Sequence, residues 1–216
     1  MMILPVCLLQ IYKFEKIIET KIDELPFFLC ESPFFLVISG HTDLATSVAN
    51  KTILDTIGQY LPETEIVKLD TLYPDFKIDV DAEQQRLLKA DIIVLQFPIF
   101  WYSAPSILER WMEETFRHGF SHGSTGNKLK GKKMILSFTT GAPQEMYSHK
   151  GAMGYTIEEF LPCYKATCNL CQMEFAGYIY TGGVSYGTRT TPELIEQQKV
   201  KSVEHAKKLI KLLEKL

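Results

Sequence analysis

The apolar run at positions 92–95 (IIVL) constrains the fold of this chain most strongly. Four consecutive apolar residues without alternation are typical of a strand buried on both faces, and such strands occur in parallel sheets covered by helices. The run ends at Pro98, and an amphipathic helical pattern follows from Ile107 to Phe116. Segment 91–116 therefore predicts a central strand, a loop and a packed helix.

The same succession of strand and helix recurs along the chain. Strand patterns occupy 34–39, 65–70, 92–97, 133–138 and 174–180, and helical patterns follow them at 45–60, 81–90, 107–117, 155–170 and from Thr191-Pro192 nearly to the C-terminus. Alternating strands and helices predict an α/β domain with a doubly wound, five-stranded parallel sheet. Right-handed crossovers favour the strand order 2-1-3-4-5.

We expect residues 33–216 to form this domain and residues 1–32 to form an N-terminal extension whose structure the pattern does not define. Positions 1–11 are apolar but too short to span a bilayer, and they lack the features of a signal peptide. Two interpretations stay open: a packed appendage, or a start site chosen too early.

Charge and cysteine content exclude several classes of function. The net charge of −3 is scattered, so the chain shows no basic face for nucleic acid. Its five cysteines are an odd number without a secretory signal, which favours reduced thiols in the cytoplasm. Cys168 and Cys171 form a CxxC without a second ligand pair, so we expect buried thiols and no metal site.

The loop after the first predicted strand, at 39–47, has the character of a phosphate site. It joins a strand to a helix N-terminus, where free N–H groups and the helix dipole favour an anion. It lacks the GxGxxG and Walker patterns but offers the hydroxyls of Thr42, Thr46 and Ser47, with Asn50 one turn later. Ordinary helix capping is the alternative interpretation.

Two further loops fall at the same edge of the predicted sheet. The loop at 96–103 carries three adjacent aromatic residues, which would suit a flat ligand, although core packing or an oligomer contact would also explain them. The loop at 139–142 (TTGA) has small residues that let backbone N–H groups approach a ligand, or it is a simple turn. Together the three loops predict one binding site.

The strings QFPIFWYSAPSILERW, GHTDLATSVANK and SFTTGAPQEMYS resemble motifs of the NAD(P)H:quinone oxidoreductase family of flavodoxin-like flavoproteins. The most similar branch is the short bacterial one, which includes the ancillary oxidoreductases of glutathione-gated potassium-efflux systems. The resemblance extends from about Leu36 to the C-terminus and implies a flavodoxin-like fold.

The resemblance also implies a flavin that lies across the three loops. The cofactor-binding positions it implies are His41, Ser47, Val48, Ala49 and Asn50 for the phosphate and ribityl end, Ile99, Phe100, Trp101 and Tyr102 for the ribityl chain and isoalloxazine, and Thr139, Thr140, Gly141 and Ala142 for the ring edge.

The implied activity is a ping-pong reaction in which NAD(P)H reduces the flavin and a quinone or similar acceptor reoxidises it. FMN is expected rather than FAD, because the C-terminal extension of the long members is missing. The family implies a homodimer in the cytoplasm, either free or peripheral at the inner face of the membrane. The alternatives are a flavin-binding regulatory subunit of a potassium-efflux transporter and a one-electron carrier.

Two departures from the family pattern concern the proposed site. Ala142 replaces a glycine, and a positive φ at this position would strain it. In long members a Tyr and a His six residues later assist charge relay; Tyr147 matches the Tyr, but Met153 occupies the His position. Tyr147 is therefore the catalytic candidate, with a packing role as the alternative. His118 and His122 are expected to be solvated or capping residues, with a substrate role as the alternative.

Overall fold

A computed structural model describes residues 33–216, and the expected extension at 1–32 lies outside them. Five parallel strands form one sheet in the order β2-β1-β3-β4-β5, which confirms the predicted fold. The strands are β1 Phe35–Ser39, β2 Glu65–Lys68, β3 Ile92–Pro98, β4 Lys133–Thr139 and β5 Glu174–Thr181; the longer helices are α1 Val48–Tyr60, α2 Val80–Lys89, α3 Ser106–Thr115, α4 Pro162–Leu170 and α5 Pro192–Leu213.

Helices cover both faces of the sheet, as buried parallel strands require. Side chains alternate along each strand, so Val37 packs with Ile53 of α1 and Leu209 of α5, whereas Leu36 packs in the cluster that contains Trp111 of α3. Helices α2 and α4 contribute to the second cluster. No helix between residues 33 and 216 is long and apolar enough to cross a membrane.

The largest differences from the sequence prediction concern three element boundaries. Strand β2 ends at Lys68, and a helical turn at Leu69–Leu72 follows it. Helix α1 begins at Val48, three residues later than predicted, because Ser47 Oγ accepts the amide of Asn50 and caps the helix. The predicted helix at 155–170 is divided at Pro162, which has no N–H to continue the preceding turn and instead opens α4.

Polar side chains replace apolar ones where the three central strands end. Ser39, Gln96 and Ser137 are neighbours across β1, β3 and β4, and all three are fully buried. Gln96 Nε2 donates to Asn50 Oδ1 at 2.6 Å, and Ser137 Oγ lies 2.8 Å from His205 Nε2. This row ties the carboxyl edge of the sheet to α1 and α5, the helices behind the loops.

A buried carboxylate joins α2 to α3. Glu83 is completely buried and accepts hydrogen bonds from Tyr73 Oη at 2.7 Å and Trp111 Nε1 at 2.8 Å. Arg86 Nη1 lies 2.5 Å from the same carboxylate, and its Nε lies 2.7 Å from Glu65 on β2. The network fixes the helix that follows the aromatic loop.

Candidate ligand site at the carboxyl edge of the sheet

The loop after β1 presents unoccupied donors at the start of α1. Ser47 caps the helix, while the amides of Val48 and Ala49 have no acceptor within residues 33–216. Together with the helix dipole, these N–H groups create a positive potential that favours an anion. Gly40 lets the loop pass close to α3, since a Cβ there would lie 2.6 Å from Leu108 Cβ.

His41 is held in one tautomer beside this helix terminus. Its Nδ1 accepts the backbone N–H of Asp43 at 3.0 Å, so the proton of the neutral ring lies on Nε2, which faces Tyr186 Oη at 3.3 Å. Burial lowers the pKa of His41, while the nearby carboxylates of Asp70 and Asp43 oppose that shift. The neutral imidazole is therefore a hydrogen-bond donor.

The aromatic loop after β3 is a tight two-residue hairpin. Phe100 and Ser103 exchange backbone hydrogen bonds of 3.0 and 3.1 Å, and the two residues between them have positive φ, 51° at Trp101 and 67° at Tyr102. Positive φ at both central positions is the signature of a type I′ turn, which ordinarily takes Asn or Gly. The turn leaves the Trp101 side chain 94% exposed.

The loop after β4 presents a second set of free backbone donors. Thr140 is fixed by hydrogen bonds from its hydroxyl to Ala142 O at 2.8 Å and between its hydroxyl and Tyr180 Oη at 2.9 Å. The amides of Gly141 and Ala142 have no acceptor within the described chain. Ala142 is not among the residues with positive φ, so the alanine causes no backbone strain.

A cavity of about 220 Å³ lies between these loops. Eight of the thirteen sequence-predicted binding residues line it: His41, Ser47, Asn50, Ile99, Phe100, Thr139, Thr140 and Gly141. Of the other five, Val48 and Ala49 lie in the first turn of α1, Trp101 and Tyr102 lie on the exposed turn, and Ala142 lies beyond the cavity lining.

The sequence interpretation missed the loop after β5. Residues 184–189, which we call the strap, contribute Val184, Ser185, Tyr186 and Arg189 to the cavity. Its position in the sequence could have indicated that this loop belongs to the site, because it also follows a strand at the carboxyl edge of the sheet. Neither the residue pattern nor the quoted motifs reach it.

Tyr147 lines a neighbouring cavity of about 300 Å³, which also contacts Tyr178 and Tyr180. Its ring packs edge-on against Phe160, and Tyr102 of the turn stacks on the same Phe160 with ring centroids 5.3 Å apart. Burial raises the pKa of Tyr147. Met153, at the family's His position, accepts the Tyr102 hydroxyl at 3.5 Å.

The sheet order, the free amides at the start of α1 and the loops that converge on one cavity are typical of open α/β proteins that bind a ligand at the carboxyl edge of the sheet. The chain belongs to the family with a flavodoxin-like fold, whose model matches residues 35–206. This membership and the relatives below confirm the resemblance that the sequence motifs suggested.

Two curated relatives and one solved structure illustrate the similarity. An uncharacterized NAD(P)H oxidoreductase of Bacillus subtilis, YrkL, is 40% identical over 142 residues, which are 65% of this chain and 80% of the relative. The potassium-efflux ancillary protein KefG of Pectobacterium carotovorum is 32% identical over 79% of this chain and 91% of its own. General stress protein 14 of Treponema denticola, solved in complex with FMN, superposes with a TM-score of 0.74 at 29% identity, covering 83% of this chain and 99% of that one.

Proposed function

We propose that the protein is an FMN-dependent NAD(P)H oxidoreductase that passes reducing equivalents to a quinone or similar acceptor by a ping-pong mechanism. The observation that carries this proposal is the convergence of three loops on one cavity, with free amides at both ends of the site. The related structure that contains FMN and the relative named as an NAD(P)H oxidoreductase support it.

The donor set fits FMN. The amides of Val48 and Ala49, beside His41, would hold the phosphate, and the amides of Gly141 and Ala142 would donate to the polar edge of the ring. Bound FMN would supply the two-electron chemistry that links NAD(P)H to the acceptor.

The remaining residues of the site would orient the reactants and control protons. Phe100 and the Trp101-Tyr102 turn would give the ring and the two substrates an apolar wall that excludes water. The raised pKa of Tyr147 keeps its hydroxyl protonated, so this residue would stabilise negative charge that develops near the ring.

The absorbance spectrum of the purified protein tests the proposal, followed by extraction and identification of the flavin. We expect a yellow protein with FMN, and NAD(P)H oxidation with menadione that gives parallel lines in double-reciprocal plots, as ping-pong kinetics require. A colourless protein that neither FMN nor FAD reconstitutes would contradict the proposal. Extracted FAD would contradict only the choice of cofactor.

The similarity to KefG favours a second candidate, a flavin-binding regulatory subunit of a glutathione-gated potassium-efflux transporter. In this role the protein would lie in the cytoplasm and bind at the inner face of the membrane. For either role we propose a homodimer built from the domain at 33–216, as the family resemblance implies. Co-purification with the cytosolic domain of a transporter tests the regulatory role. Quinone reduction without binding to a transporter would favour the enzymatic role over the regulatory one.

A further inference from the structure

Among the residues that line the cavity, one has a permanently charged cationic side chain, and it belongs to the strap. Arg189 lies among the lining residues beside His41 and Tyr186. No ion pair formed within residues 33–216 includes Arg189. Its guanidinium therefore has no carboxylate partner within 4.0 Å in the described chain, at a position that lines the cavity.

The guanidinium is nevertheless fixed in place. Arg189 Nη1 donates to Thr46 O at 2.7 Å, Nε donates to Gln198 Oε1 at 3.3 Å, and the guanidinium carbon lies 4.1 Å from the centre of the Tyr186 ring. A guanidinium has five N–H donors, so three remain available after these two hydrogen bonds. Free donors on a held cation are suited to an anionic group with several oxygens.

The strap itself is anchored to α5. Gln198 is 3% exposed, and its Nε2 donates to Ser185 O at 2.8 Å and to Thr188 Oγ1 at 2.6 Å. On the other side, Tyr186 Oη contacts His41 Nε2 in the loop after β1. The charged side chain is thereby organised before a ligand arrives, which limits the entropy lost on binding.

We propose that the strap is the phosphate-specificity element of the site, and that Arg189 selects a flavin ending in a phosphate over unphosphorylated riboflavin. This inference rests on the proposed function. The loop after β1 offers only neutral donors and the helix dipole, whereas FMN ends in a group with a charge of about −1.5 to −2. Arg189 supplies the formal charge that the neutral donors lack.

Affinities of two flavins test this role, because FMN and riboflavin differ only in the phosphate. The dissociation constants are measured by flavin fluorescence quenching on the full-length protein freed of flavin, with the variants R189Q and R189K. We expect R189Q to weaken FMN binding by about 10- to 100-fold, the effect of losing a charged hydrogen bond. Riboflavin affinity should stay within about threefold. R189K should restore part of the FMN affinity.

The variant R110Q is the matched control, since it removes one positive charge from α3, where Arg110 pairs with Glu114 outside the cavity. It should leave both affinities unchanged. Equal losses for FMN and riboflavin in R189Q would overturn the proposal by showing a packing role, and an unchanged FMN affinity would overturn it directly. A folded wild-type protein that binds neither flavin would instead contradict the proposed function, and the inference with it.

Discussion

Trp101 and Tyr102 hold backbone conformations that bulky residues adopt only at an energetic cost. Each positive φ costs about 1–2 kcal/mol for a residue with a Cβ, and the hairpin bonds between Phe100 and Ser103 maintain both. Tyr102 gains the stacking contact with Phe160 in return, but Trp101 is almost fully exposed. Strain of this kind clusters at functional sites, where it fixes side chains for a ligand.

The substitution Trp101→Asn should therefore stabilise the flavin-free protein. Asn tolerates positive φ, and the exposed indole loses little packing, so we expect the free energy of unfolding to rise by about 0.5–1 kcal/mol. Urea denaturation measures it. Tyr60→Asn is the control, because Tyr60 is also exposed but is not among the residues with positive φ. A Trp101→Asn variant no more stable than the wild type would show that the turn is not strained.

Tyr147→Phe separates a catalytic role from a packing role. The ring contacts with Phe160 and Tyr180 survive in the variant, so stability and FMN affinity should be unchanged. If the hydroxyl acts as proposed, the rate of flavin reduction by NAD(P)H falls by about 10- to 100-fold in rapid-mixing measurements. Tyr155→Phe, which keeps its contact with Phe160 outside both cavities, is the control. An unchanged rate of flavin reduction in Tyr147→Phe would show that Tyr147 has only a packing role.

At the scale of elements, the carboxylate of Glu83 joins α2, α3 and the segment after β2. Glu83→Gln removes the charge that faces Arg86 and weakens the bonds from Tyr73 and Trp111, so we expect a loss of about 2–4 kcal/mol in the free energy of unfolding. Chemical denaturation measures it. Glu196→Gln, at an exposed pair with Lys199, should change stability by less than about 0.5 kcal/mol. Equal losses of stability in Glu83→Gln and Glu196→Gln would show that the buried network stabilises the protein no more than an exposed ion pair does.

His205 links β4 and β5 to α5 and makes their packing sensitive to acid. Burial lowers its pKa from 6.5 to about 3, so the ring stays neutral between Ser137 and Thr181. The unfolded chain takes up a proton below pH 6.5 that the folded protein does not, so the free energy of unfolding decreases as pH falls from 6.5 towards 3.

A pH series of denaturation curves measures this contribution. The wild type should lose up to about 1.4 kcal/mol per pH unit more than His205→Asn in this interval, because one proton is involved. His149→Gln removes an exposed imidazole and should keep the wild-type slope. The same slope in His205→Asn and wild type would show that other groups cause the acid sensitivity.

The elements were predictable because each depends on local patterns. The apolar runs gave the strands, and Thr191-Pro192 gave the start of α5. The strap was not predictable, because its contact between Tyr186 and His41 joins residues 145 positions apart and follows no periodicity. The type I′ turn could not be predicted from the sequence either, because Trp101 and Tyr102 occupy the positions where such turns usually have Asn and Gly.

At the scale of the whole molecule, residues 33–216 contain all five strands described here and form one compact unit by their contacts. We expect a protein beginning at Pro33 to unfold in one cooperative transition and to bind FMN within about threefold of the full chain. Denaturation and flavin titration measure both properties. A protein beginning at Leu44 lacks β1, which pairs with β2 and β3, and should not fold. Loss of flavin binding in a folded protein beginning at Pro33 would show that binding requires residues 1–32.

The chain's two tryptophans occupy opposite extremes of environment, with Trp101 94% exposed on the turn and Trp111 fully buried against Glu83. Their emission therefore divides into a red-shifted component that acrylamide quenches and a blue-shifted component that it does not reach. In the proposed site the first component would report contact of a ligand with the turn, whereas the second reports loss of the core between α2 and α3. The two components of tryptophan emission would then distinguish ligand binding from unfolding without any label.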